Sequence, residues 1–183
     1  MNWETLIAIA AMIGLLTGSV YQDWHSRRIS NRWLLAAWTT ALVWQAWAPV
    51  GYHFLHPQTP GAQGLAASVG SSALMLGMTF VLWQRRVFGA GDAKLLCVLA
   101  AWAGPLLTVP LLLLTLLAGG ALALTALMWA RQRERLWAVL CGEGASVDSS
   151  EAKALPYALA IAMGTLALYV LIRYEQLPLW WYA

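Results

Sequence analysis

Two aspartates, Asp23 and Asp92, are the residues of this chain whose positions most directly indicate chemistry. Each lies where a strongly apolar stretch meets a group of arginines or lysines. A carboxylate beside the hydrocarbon core of a bilayer is costly and usually functional. Two neighbouring carboxylates share a proton, because like charges in close contact cannot both ionise. Such a pair can hydrolyse a peptide bond: one group deprotonates a water while the other polarises the carbonyl. The pair titrates as a unit, so the sequence assigns the proton to neither residue.

The composition indicates that lipid surrounds most of the chain. Of its 183 residues, 61% are hydrophobic and only 10% are charged, and the mean hydropathy is +0.63. Ordinary soluble domains carry about 25% charged residues. Many of the twelve tryptophans lie near the ends of apolar runs, which suits a membrane–water interface. The basic residues form short clusters and not one broad face, so we expect a lipid bilayer as partner and no nucleic acid.

The apolar stretches predict six transmembrane helices in one integral-membrane domain, residues 1–183, of the all-α class. They cover 3–22, 33–50, 65–83, 93–108, 109–130 and 154–172. Residues 95–129 are almost continuously apolar, which is too long for one crossing of about 20 residues. We place the break at Gly104-Pro105, because Pro removes a backbone donor and Gly favours a turn; Pro110 is the alternative.

The placement of the basic residues predicts the orientation. If six helices alternate, ten of the eleven lysines and arginines fall in the first, third and fifth loops. Cytoplasmic loops carry such an excess, so these loops are expected in the cytoplasm and both termini outside. Merging the fourth and fifth helices would move the last basic cluster to the other side. Asp23 and Asp92 are therefore expected at the same, cytoplasmic face.

Several residues around the two aspartates are candidates for supporting roles. Gly89 and Gly91 lack a Cβ, which would let a peptide approach Asp92 closely, although a turn at the start of a helix explains them as well. Arg27 is either a topology anchor on lipid phosphates or part of the site. Lys94 follows Asp92 by two residues, so a helix would point the two side chains apart; it contacts head groups or the substrate.

Neither a metal nor another cofactor is expected. His53 and His56 lie in the second loop, which is predicted to be external, with no third ligand apparent. Cys97 falls in an apolar run and Cys141 in a predicted polar loop, and the chain has no C-x-x-C pair. His25 is interpreted as a loop residue after the first helix.

The chain resembles the type IV prepilin peptidases, membrane aspartyl proteases marked by a G-x-G-D motif. The resemblance is carried by the six helices, by D-x-x-x-R-x-I-x-N from Asp23 to Asn31, by the segment Gly89–Leu96 and by Leu155-Pro156-Tyr157 before the last helix. It implies that Asp23 and Asp92 are the catalytic pair. It also implies removal of the basic leader of prepilins or pseudopilins at the cytoplasmic face of a bacterial inner membrane. The matched positions that it implies as supporting residues are Arg27, Asn31, Gly89, Gly91 and Lys94.

The chain departs from that family pattern at two places. Ser30 stands where Pro is usual before the Asn of the first motif. The longer members have an insert with paired C-x-x-C cysteines between the first two helices and also N-methylate the new amino terminus. Here that loop has about ten residues and no cysteine, so methyl transfer is not expected. In size the chain is similar to the short peptidases of tight-adherence (Flp-type) pili.

The sequence leaves two alternative functions open. A presenilin-like protease shares the G-x-G-D, but there the first aspartate typically follows a Tyr directly, whereas Gln22 precedes Asp23 here. A proton-coupled transporter could use both carboxylates, although transporter sites favour the bilayer midplane. The sequence predicts no oligomeric state.

Overall fold

The computed structural model describes residues 3–47, 64–85, 89–141 and 157–173, and these ranges form six helices. The helices are α1 (Trp3–Ser26), α2 (Asn31–Trp47), α3 (Gly64–Gln84), α4 (Ala90–Ala103), α5 (Pro105–Cys141) and α6 (Tyr157–Arg173). No strand occurs in the described ranges, so the predicted all-α class is confirmed there. Residues 51–63 of the second loop and the polar segment 142–150 lie outside the described residues.

The predicted break between the fourth and fifth helices is confirmed. Gly104 ends α4 with a φ of +85°, and its N–H donates to the carbonyl of Ala100 at 2.9 Å. Pro105 is the first residue of α5, where a missing N–H removes no helical hydrogen bond. The alternative boundary at Pro110 is wrong, because α5 continues through this residue.

The fifth helix is longer than the apolar stretch that predicted it. It runs over 37 residues to Cys141, so the basic positions 131, 133 and 135 and Cys141 itself are helical and not in a loop. Length and hydropathy place a boundary where charges begin, but Arg, Gln, Glu and Leu are good helix formers in water. The first Gly or Pro after Gly120 is Gly142, so nothing in the sequence stops the helix earlier.

Helix α4 lies at the centre of the molecule. Nine of its fourteen residues are buried, and it packs against α2, α3, α5 and α6. Small hydroxyl residues of α3 join it closely: Ser68 donates to the carbonyl of Ala101 at 2.8 Å, and Ser72 to that of Cys97 at 3.1 Å. Such short side chains let membrane helices approach one another. Asp92 is therefore carried by the most enclosed helix of the fold.

Two segments within the described ranges are long and apolar enough to cross a membrane. They are Gly64–Gln84 in α3 and Pro105–Trp129 in α5, and Tyr157–Ile172 is a shorter apolar helix. These segments agree with a helical membrane protein. Six crossings and an external N-terminus stay predictions.

Candidate active site

The end of α1 and the tight turn after it position Asp23. The helix continues to Ser26, so Asp23 lies in its last turns. Gln22 accepts the Ser30 N–H at its side-chain oxygen (2.8 Å), while the Ser26 hydroxyl donates to the Gln22 carbonyl (2.7 Å). Arg27 turns the chain with a φ of +54°. These bonds hold the segment from Gln22 to Ser30 in one compact turn beside the aspartate.

His25 is a helical residue, which corrects the loop position expected from the sequence. It occupies the last turn of α1, and its ring stacks on that of Tyr21 with centroids 4.6 Å apart. The predicted apolar stretch ends at residue 22, but the next residues contain no Gly or Pro that would stop the helix.

The first turn of α4 positions Asp92. Gly89 caps the helix, and its backbone N–H bonds to the Asp92 carboxylate. A Cβ on Gly89 would lie only 2.8 Å from Oδ2 of Asp92, so a side chain there would displace the carboxylate. A Cβ on Gly91 would instead meet Ile29 at 3.8 Å, an ordinary contact. Of the two predicted glycines, only Gly89 is sterically required at this aspartate.

The start of α6 completes the site. The backbone N–H of Ala158 donates to Oδ2 of Asp23 at 3.1 Å, across 135 residues of sequence. Ala158 is the second residue of α6, and an N–H at this position has no partner within its own helix. Asp23 therefore supplies the cap of α6, where the helix dipole also favours a carboxylate.

Tyr157, the first residue of α6, lies beside the second aspartate. Its hydroxyl interacts electrostatically with Asp92. Its ring packs on Gly119 of α5, where a Cβ would lie 2.7 Å from the hydroxyl oxygen. Ala158 and Tyr157 thus connect one end of α6 with both aspartates.

The two aspartates influence each other electrostatically. Asp92 lies just before the apolar stretch 93–108. Burial and, to a smaller extent, the charge of Asp23 raise the pKa of Asp92 from 3.8 to about 6. The hydrogen bond from the Gly89 N–H acts in the opposite direction and lowers this pKa. A negative charge on Asp23 acts this way only over a short distance. The arrangement can therefore provide a protonated carboxyl beside a carboxylate, which are the two groups that acid–base hydrolysis needs.

Lys94 and Asn31 form a separate contact on the other side of α4. The Lys94 ammonium donates to the side-chain oxygen of Asn31 at 3.0 Å, which joins the starts of α4 and α2. Lys94 thus points away from Asp92, as their spacing predicts. Arg27, the remaining predicted residue, is exposed, and its backbone N–H donates to the Asp23 carbonyl at 3.1 Å.

The sequence prediction missed two residues of the site: Ala158, and Tyr157 in its electrostatic interaction with Asp92. One signal was present in the sequence: Ala154, Leu155 and Pro156 include none of the usual N-cap types, so the helix needs a cap from elsewhere. Among the described residues, no group of three or more His, Cys, Asp or Glu side chains could hold a metal ion.

Comparison with known families identifies the family of this chain. A family model described as the type IV leader peptidase family matches residues 9–124, which is more than half of the chain and includes both aspartates. The chain belongs to the type IV leader peptidase family. The resemblance seen in the sequence is thereby confirmed, and membership implies a protease. No curated protein and no solved structure matches the chain significantly.

Proposed function

We propose that this protein is an aspartic endopeptidase that removes the basic leader of type IV or Flp-type prepilins or pseudopilins. The proposal places cleavage at the cytoplasmic face of a bacterial inner membrane, in pilus assembly or secretion. One observation carries it: Asp23 and Asp92, which are 69 positions apart, both interact with the first two residues of α6, and the charge of Asp23 raises the pKa of Asp92. Family membership favours this function over a transporter.

The proposed mechanism gives the aspartates unequal roles. Asp92 holds its proton up to about pH 6 and donates it toward the scissile carbonyl oxygen. The Asp23 carboxylate removes a proton from a water, whose oxygen attacks the carbonyl carbon. The tetrahedral intermediate then collapses: the C–N bond breaks, Asp23 passes its proton to the leaving nitrogen, and Asp92 recovers its own.

The surrounding residues have positioning roles in this proposal. Gly89 leaves room for the Asp92 carboxylate, and Gly91 lies beside Ile29 at the start of α4. Lys94 and Asn31 fix the spacing between α2 and α4, while Arg27 closes the turn after Asp23. No step needs a cofactor, and N-methylation of the product is not expected.

Two isosteric variants test the mechanism. The full chain is co-expressed with a pilin-like substrate, alongside Asp23→Asn, Asp92→Asn and the control Asp148→Asn, whose carboxylate lies outside both motifs. Leader removal is followed by gel shift and mass spectrometry, with membrane insertion checked for each variant. We expect cleavage by the parent and the control, and a loss of at least about 100-fold in the two site variants. Cleavage that survives either site substitution rules out the two-aspartate mechanism, and the product mass reports whether a methyl group was added.

A further inference from the structure

An open apolar groove runs between α1 and α6, along the part of α1 that carries Asp23. Its volume is 410 Å³. Two parallel rows of α1 side chains line it, Leu16, Val20 and Trp24 in one row and Thr17, Tyr21 and His25 in the other, and Ala162 lines it from α6. We call it the α1–α6 groove.

The α1–α6 groove ends at the site. Val20 and Trp24 lie on either side of Asp23 along α1. Ala162 follows Ala158, whose N–H binds Asp23, by one helical turn of about 6 Å. From Leu16 to Trp24 the groove follows α1 for about 12 Å, away from the turn that carries the aspartate. Anything held along the groove therefore has one end near Asp23.

The lining defines what the groove can hold. Its lining by described residues contains no Lys, Arg, Asp or Glu, and the Thr17 hydroxyl already donates to the Ile13 carbonyl at 2.7 Å. Tyr21 and Trp24 are 63% and 67% exposed, so no described part of the chain covers this face. Side chains four apart on a helix form ridges into which the ridges of a second helix fit. The small side chain of Ala162 lets such a helix approach closely.

A second groove is larger but lies on the wrong side of α4. It measures 510 Å³ between α2, α3 and α4, with Lys94 and Cys97 in its lining. Lys94 is two residues after Asp92, so the two side chains leave the helix about 200° apart. A chain bound there would have to pass around α4 to reach the aspartates. Because the α1–α6 groove lies closer to the active site, it is the better candidate for binding the substrate.

We propose that the α1–α6 groove binds an apolar, membrane-embedded helix of the substrate and presents the bond at its end to Asp23 and Asp92. This proposal rests on the proposed function and adds where the substrate docks. It separates recognition along α1 and α6 from hydrolysis at the aspartates. A soluble peptide that covers only the cleaved bond bypasses the groove.

Filling the groove tests this assignment by kinetics. Val20→Trp places a larger side chain in it, and Leu76→Trp makes a comparable change in the second groove. Each full-length variant is assayed with a membrane-embedded pilin-like substrate and with a short peptide spanning the cleaved bond. We expect Val20→Trp to raise KM for the embedded substrate at least tenfold more than it raises KM for the short peptide. Leu76→Trp should change neither. An unchanged KM in Val20→Trp overturns the proposal.

Photo-crosslinking gives an independent readout at exposed positions that tolerate replacement. A benzoylphenylalanine is placed at Tyr21 in the α1–α6 groove or at Leu35 in the second groove, which are 63% and 61% exposed. We expect a substrate adduct from position 21 and none from position 35. Adducts with lipid alone, or substrate adducts only from position 35, overturn the proposal. If the parent cleaves neither substrate, the proposed function fails as well. If the parent cleaves both substrates and Val20→Trp has the same KM values as the parent, the docking assignment alone fails.

Discussion

Replacing Gly164 with alanine should weaken the packing of α6 on α5 and slow peptide cleavage. A Cβ on Gly164 would lie 2.7 Å from both Cα and N of Thr115. Carbon atoms pack at about 3.5–4.0 Å, so the helices must separate by roughly 1 Å. Overpacking of this kind costs about 1–3 kcal/mol of the free energy of unfolding.

The same displacement should reach the active site. Gly164 and Ala158 lie on the same helix, six residues apart, and the Ala158 N–H binds Asp23 at 3.1 Å. Hydrogen bonds between N and O extend to about 3.2 Å, so a shift of roughly 1 Å breaks this one. A misplacement of that size can reduce a catalytic rate by about 100-fold.

Gly120→Ala is the matched control for this prediction. It lies in α5, and a Cβ there would meet no atom within 4 Å. Alanine in place of a helical glycine stabilises by about 0.5–1 kcal/mol, so the two substitutions should change stability in opposite directions. Stability is measured by unfolding in mixed micelles and activity by initial rates of leader removal. The reasoning is refuted if Gly164→Ala is as stable and as active as the parent, or if both variants lose stability equally.

The remaining predictions concern the charged groups Asp92 and Lys94. The kcat/KM of the parent should fall as pH rises through about 6, because Asp92 loses the proton that it donates. Asp23→Asn should lower the pKa of Asp92 but leave it above 3.8, since the raising effect of burial remains. Rate measurements against pH and infrared spectra of the carboxyl check these, and an unaltered Asp92 titration in the variant would show that the pair is not coupled. Lys94→Met should lower the free energy of unfolding by about 0.5–1.5 kcal/mol through loss of its bond to Asn31. In a double-mutant cycle Asn31→Leu should then add little, and fully additive losses would contradict that contact.

Local chemistry made much of the fold predictable. Lipid requires long apolar segments, and Gly104-Pro105 interrupts one of them by chain geometry alone, so that boundary was found correctly. The divergence of Lys94 from Asp92 followed from helical periodicity. The ends of α1 and α5 were placed too early, because the rule used apolar length, whereas both helices continue through polar residues with adequate helix propensity.

The contribution of α6 to the site could not be read in the same way. Ala158 acts through its backbone N–H, which every residue except proline has, so its type carries no signal. Tyr157 interacts with Asp92 from a position in which its ring packs on Gly119 of α5, where a side chain would collide with it. Both contacts depend on how distant helices pack, and a hydrophobic pattern does not specify which faces meet.

The bond between Ala158 and Asp23 also has a consequence for how the protein is made. The ribosome produces Asp23 and Asp92 long before the residues of α6, so a nascent chain already holds both carboxylates while it lacks the N–H, Tyr157 and one wall of the groove. A truncated translation product would have the two acids without the arrangement that orients them. The site would then be complete only when the last helix has been made and has packed against α1.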